Sequence, residues 1–127
     1  QIVSKQGRLS PGKAVITTGG KLKARYVIHT VGPIWHGGSR GEPELLVSAY
    51  HESLKLAAEN NLSSISFPSI STGAYGYPVN KASKTAIGAV ITFLRQNITS
   101  LREVVFVLFD SQTFNAYSSA VKEIIRQ

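Results

Sequence analysis

Residues 67 to 78 read Phe67-Pro68-Ser69-Ile70-Ser71-Thr72-Gly73-Ala74-Tyr75-Gly76-Tyr77-Pro78. Just before them, Ser64 to Ser69 has the make-up of a short strand. Just after them a helical pattern starts near Asn80, a capping residue type, with Ala82, Ala86, Val90 and Phe93 or Leu94 at three- and four-residue steps, ending around Asn97. The stretch is therefore a strand-to-helix loop. In an open parallel sheet, ligands gather beyond the carboxyl ends of strands, where such loops lie. Gly73 and Gly76 let the backbone approach a ligand closely, and consecutive amides there can form an anion-holding nest. Ser71 and Thr72 add hydroxyl groups, and Tyr75 offers a ring face to a sugar. By composition alone the loop also suits a plain tight connection.

Working outward, Ala14 to Thr17 and Arg25 to Val31 are rich in β-branched and aromatic residues and read as strands around a Gly19-Gly20 turn. Residues 32 to 42 are glycine-rich, contain Pro33, and read as a surface loop. A helix enters at Pro43 and places Leu46, Tyr50, Leu54 and Ala57 or Ala58 on one face. Glu103 to Phe109 is nearly all apolar, the pattern of a parallel strand buried on both faces, and Ser111 is placed to cap a last helix through Phe114, Tyr117, Val121 and Ile125. The order β-β-α-β-α-β-α predicts an α/β fold: a mainly parallel mixed sheet with right-handed crossovers, flanked by helices on both faces.

With 127 residues, 43% hydrophobic and 17% charged, the chain suits one domain that buries a core without cross-links. It holds no cysteine, which excludes disulfides, zinc–thiolate sites and a cysteine nucleophile. No apolar run approaches bilayer length and no signal-peptide core is visible, so a cytoplasmic protein without a membrane partner is expected. The chain starts at Gln1 and has no methionine, which reads as a fragment. Its net charge of +7 is uneven: Lys5, Arg8, Lys13, Lys21, Lys23, Arg25 and Arg40 all precede the first acid, Glu42. Such a front half suits an anionic partner such as a nucleotide or RNA, or is balanced by an acidic segment not present here.

The string from Phe67 to Pro78 resembles the second ligand loop of macrodomains almost residue for residue. Tyr26-Val27-Ile28-His29-Thr30-Val31-Gly32-Pro33-Ile34-Trp35 is similar to that family's central strand and the loop leaving it, and Pro11-Gly12-Lys13-Ala14 and Phe109-Asp110 also fit. The resemblance covers nearly the whole chain. It implies a single macrodomain over residues 1–127, a three-layer sandwich that binds ADP-ribose, an ADP-ribosylated protein or O-acetyl-ADP-ribose. It implies that the ligand-binding set is Ile70, Ser71, Thr72, Gly73, Ala74, Tyr75, Gly76 and Phe109: amides of Ser71 to Gly76 on the diphosphate, Tyr75 along the distal ribose, Phe109 at the adenosine end. Relatives hydrolyse ADP-ribosyl bonds or O-acetyl-ADP-ribose. The family's Asn-Ala-Ala-Asn-like segment, its glycine run with a catalytic aspartate and its adenine-binding acid precede the region where this chain begins. The domain is thus expected to be N-terminally incomplete, with no catalytic residue to name, no metal, no cofactor, and a sheet edge exposed to self-association. The competing reading is a basic surface that binds RNA or poly-ADP-ribose without catalysis.

Other reactive residues carry less. His29, His36 and His51 match no metal-ligand spacing; His29 is expected to face the core or bond to backbone, and His36 to be solvated. Ser71 lacks the Gly-x-Ser-x-Gly elbow of a serine nucleophile. Asp110, the only aspartate, is read as supporting the start of the last helix. For Trp35 the sequence leaves open a place on the core or against another chain.

Overall fold

The structure, a computed structural model, describes residues 9–20 and 25–125. The elements are β1 (Ala14–Thr18), β2 (Tyr26–Thr30), α1 (Glu42–Glu59), β3 (Ser64–Phe67), a 3-10 turn (Gly73–Tyr75), α2 (Val79–Gln96), β4 (Glu103–Phe106) and α3 (Ser111–Ile125). The expected element order holds throughout, while β3 and β4 stop two to three residues earlier than their apolar runs. No helix among the described residues is long and apolar enough to cross a membrane.

The core forms where the helical periodicities meet. On α1, Leu46, Tyr50, Leu54 and Ala57 are fully buried, and on α2 Ala82, Ala86, Val90 and Phe93 lie against them. Leu94 turns outward, so Phe93 is the residue that closes the α2 stripe. Small alanines on α2 let α1 and α3 approach it closely, one on each side. Tyr50 of α1 packs edge-on to Phe67 of β3 with centroids 4.9 Å apart, and Phe106 of β4 lies 5.0 Å from the Tyr117 ring of α3. Two of the three caps differ from expectation. Pro78 holds the N-cap of α2 and Asn80 sits inside its first turn. Asn97 caps the other end, its side-chain amide donating to Phe93 O. Asp110, not Ser111, caps α3, accepting from the Thr113 amide at 2.8 Å; this bond holds the carboxyl below its usual range.

Strand pairing is mixed. β1 and β2 form an antiparallel ladder, Ala14 opposite Thr30 through Thr18 opposite Tyr26, while β3 and β4 run parallel, Ser64 opposite Glu103 through Phe67 opposite Phe106. Within the β3–β4 ladder alternation decides burial: Val104, Phe106 and Leu108 pack against the core beneath the helices. Val105, Val107 and Phe109 point the other way and are 37, 44 and 90% exposed. The reading of Glu103 to Phe109 as buried on both faces is therefore corrected, because no described element covers that second face. On α3, Phe114 and Ile125 are likewise exposed, and Thr113, Tyr117 and Ala120 form the buried stripe.

Among the described residues the two ladders are separate two-stranded sheets. Between them runs a cavity of about 1260 Å³ whose walls are residues 25–32 on one side and 62–72 on the other, with Ser53 of α1 beneath.

Candidate functional site

The carboxyl ends of β2 and β3 lead into two loops that meet. The glycine-rich loop 32–41 has little apolar content of its own, yet it is fixed at three points by one side chain. Glu42, at the start of α1 and almost fully buried, accepts from the amides of His36 at 2.7 Å, Gly38 at 3.0 Å and Arg40 at 2.7 Å. Burial pushes its carboxyl up, but the backbone N–H groups together outweigh that and hold it at about 2. Trp35 projects from the same loop onto Tyr77, with ring centroids 4.6 Å apart, and packs on the core; this answers what the sequence left open. The Trp35 amide donates to Tyr75 O at 2.9 Å, which ties this loop to the next.

The second loop, Ile70 to Gly76, turns back on itself through three residues with positive φ: Ser71 at 69°, Gly73 at 72° and Gly76 at 76°. At Gly73 and Gly76 this conformation favours glycine, and a Cβ placed on either would meet nothing within 4 Å, so the space above both is open. At Ser71 the same region is strained for a side-chain-bearing residue. Tethers from two helices hold it. Tyr50 O–H of α1 accepts from the Ile70 amide at 3.3 Å, and Tyr117 O–H of α3 lies 2.8 Å from Ser69 Oγ. Burial first, then the neighbouring Tyr117, raise the Tyr50 hydroxyl well above its ordinary range, so it stays protonated. Tyr77 N donates to Ser71 O at 3.0 Å and Gly76 N to Gly73 O at 2.9 Å, closing the loop.

These bonds sort the expected site residues. The amides of Ser71, Thr72, Gly73 and Ala74 donate to no backbone carbonyl of the described residues, whereas the Gly76 amide is taken by the turn. Thr72 Oγ1 points inward to Ser69 O and Oγ, so its hydroxyl proton is already used. Ser71 Oγ is buried and has no partner among the described residues, and a Cβ added to Gly32 would collide with it. Ile70, Ser71, Thr72, Ala74 and Tyr75 line the cavity together; Gly73, Gly76 and Phe109 do not. Tyr75 is 41% exposed with its ring available, and Phe109 stands exposed beyond β4. His29 lies neither in the core nor on backbone: its Nε2 is 3.0 Å from Thr17 Oγ1. No Asp or Glu lines the cavity.

Glu42, Tyr50, Tyr117 and Gly32 are the site-shaping residues that sequence reasoning did not single out. Glu42 was within reach of it, since an acid at a helix start directly after a glycine-rich loop is placed to accept amides. The tyrosines were not, because a stripe position shows burial and not the use of a hydroxyl.

The family model for the Macro domain matches residues 1–86. Among curated relatives, a macro domain-containing protein of Caldanaerobacter subterraneus is 54% identical over 123 residues, 97% of this chain and 69% of that protein. An O-acetyl-ADP-ribose deacetylase of Klebsiella pneumoniae is 51% identical over 92% of this chain and 66% of its own length. Among solved structures, the Oceanobacillus iheyensis macrodomain, in a substituted form with ADPR, superposes with a TM-score of 0.87 at 41% identity, covering 98% of this chain and 66% of that one. The chain thus spans about two thirds of the length of the proteins it matches. With the matched stretch reaching from the first residue through the whole Ile70–Gly76 loop and into α2, the chain belongs to the Macro domain family.

Proposed function

We propose that this chain binds ADP-ribose, free or as the terminal group of an ADP-ribosylated protein, with the diphosphate over the Ile70–Gly76 loop. The observation that carries this reading is the run of four consecutive amides, Ser71 to Ala74, that are unbonded to backbone and folded around two positive-φ residues. Such a nest presents several N–H dipoles to one anion and is built before the anion arrives, so little ordering cost falls on binding. Open space above Gly73 admits a phosphate to the backbone, and the Tyr75 ring stands at the loop's end for the distal ribose. Phe109, exposed at the carboxyl end of β4, is free to flank the adenosine end. The ADPR of the Oceanobacillus structure and the name of the Klebsiella relative support the ligand class.

Turnover is a separate matter. The cavity-lining residues supply no carboxylate, Glu42 is saturated by amides, and Asp110 is engaged at the α3 cap. A carboxylate base for removal of an acetyl or ADP-ribosyl group would therefore come from outside the described cavity-lining residues. Lys5, Arg8, Lys21 and Lys23 of the basic front half also lie outside the described residues.

An amide-resolved NMR titration with ADP-ribose tests the reading. Saturable shifts centred on Ser71 to Tyr75 and weakly dependent on salt are expected. Binding that shifts other amides and falls steeply with salt would instead favour the RNA or poly-ADP-ribose surface.

A further inference from the structure

The Ile70–Gly76 loop is tethered differently at its two ends. Its first residues are tied to the helices behind them, Ser69 to Tyr117 and the Ile70 amide to Tyr50, and Ser71 is held by the Tyr77 amide with Gly32 at its side. Tyr75 stands at the other end. Among the described residues, the hydrogen bond that reaches it from another element is the one its carbonyl accepts from the Trp35 amide at 2.9 Å. Whatever fixes Trp35 therefore fixes the residue that faces the distal ribose in the proposed complex.

Glu42 fixes Trp35 by two routes. The His36 N–H and the Trp35 carbonyl share one rigid peptide plane, and the Glu42 carboxylate takes that N–H at 2.7 Å. Trp35 is thus held at its carboxyl side by Glu42 while its own amide is spent on Tyr75. The second route is steric. Glu42 also accepts from the Gly38 amide at 3.0 Å, and Gly38, at a φ of 95°, lies so close to the indole that a Cβ there would meet the Trp35 ring at 2.8 Å. Glu42 itself cannot drift, since it opens α1 and is 1% exposed. Tyr77, the other neighbour of the indole, does not depend on that contact, because it is almost fully buried and its amide is bonded to Ser71 O. Loosening Trp35 therefore frees Tyr75 and leaves the closure at Ser71 in place.

We infer that Glu42 is a positioning residue for the distal-ribose end of the site: through loop 32–41 and Trp35 it sets the place of Tyr75, and with it how strongly the chain prefers ADP-ribose to ADP, which ends at the diphosphate. The inference rests on the proposed binding of ADP-ribose at the Ile70–Gly76 loop. Glu42 does not line the cavity, so its influence runs through Trp35 and Tyr75. A ligand that needs only the amides of Ser71 to Ala74 is indifferent to it. A ligand that also packs a sugar on Tyr75 gains from a ring already in place, because less ordering cost then falls on binding.

Calorimetric titrations with ADP-ribose and with ADP, well below the melting midpoint of each variant, test this. Glu42→Gln leaves one oxygen for three amides and turns an NH2 group toward at least one of them. It should lower the ratio of ADP-ribose to ADP affinity about three- to tenfold, with ADP affinity kept within about twofold. Gly38→Ala displaces the indole without touching the carboxylate and should lower the ratio in the same direction. In both variants the emission of Trp35, the single tryptophan of the chain, should shift. In a Tyr75→Ala background, Glu42→Gln should change the ratio by less than about twofold, since its route to the ligand is gone. An unchanged ratio in either variant, an equal loss for both ligands, a fallen ratio with unchanged Trp35 emission, or a ratio that falls as far without the Tyr75 ring overturns the inference and leaves the ADP-ribose reading standing. An unsubstituted chain that binds neither nucleotide overturns both.

Discussion

A carboxylate fed by three amides, as Glu42 is by His36, Gly38 and Arg40, stays ionised when other carboxylates titrate. Its folded value of about 2 lies below the ordinary 4.5, so its contribution to stability is complete above pH 4.5 and fades as pH falls toward 2. Thermal melts should show the midpoint dropping between pH 4.5 and about pH 2. Glu42→Gln should lower the midpoint at neutral pH and flatten this acid limb; an unchanged limb means the loop is held by something else. Gly32 makes the second test at this scale. An added methyl there would collide with Ser71 Oγ and with Ile70 Cγ2. Gly32→Ala should destabilise by about 1–3 kcal/mol, the ordinary cost of overpacking, and should shift the Ile70 and Ser71 amide resonances. Sequence reading named the residues of this loop but not their separate states. It had no means of showing that the Thr72 hydroxyl turns inward or that the Gly76 amide is consumed, since hydrogen-bond direction follows from backbone dihedrals.

At the level of elements, the loop is shaped from behind by helices. Tyr117 of α3 holds Ser69, and Ser69 holds Thr72, so truncating one hydroxyl reaches the nest through two bonds. Tyr117→Phe keeps the ring contact with Phe106 and should cost about 0.5–1.5 kcal/mol of stability, the net worth of one buried hydrogen bond, with a several-fold loss of ADP-ribose affinity. Loss of stability with affinity intact would show that Ser69 does not position the loop. Most elements were legible in the sequence: the α1 stripe Leu46, Tyr50, Leu54 and Ala57 is buried as its spacing requires, and on α2 Phe93 takes the last position, for which the spacing had offered Phe93 or Leu94. The caps were less so. Pro78 displaces Asn80 because proline is well suited to a helix start, and Asp110 displaces Ser111 because a one-residue shift puts the carboxylate on the Thr113 amide.

For the whole molecule, the pattern of alternating strands and helices led to an α/β fold, and both the superposition on a macrodomain and the Macro domain match bear it out. What the pattern could not show was how the strands divide. A row of apolar residues such as Val104 to Phe109 looks the same whether one face or two are covered, so the exposure of Val105, Val107 and Phe109 and the cavity between β2 and β3 emerge only in three dimensions. The exposed apolar face carries its own expectation. Val107→Lys, on the uncovered side, should leave the melting midpoint nearly unchanged and raise solubility, as light scattering at rising concentration would show; a large drop in midpoint would mean that the face is packed in solution.

The proposed binding of ADP-ribose depends most directly on the nest. Calorimetric titration of the chain with ADP-ribose, beside the Gly73→Val variant, decides it: valine at a φ of 72° is strained and puts its side chain into the open space above the loop. Saturable one-site binding by the chain and at least about a tenfold loss in the variant, with helix content retained, is the expected result. Equal affinity in both forms would contradict the account, because the ligand would then be held somewhere other than the Ile70–Gly76 loop.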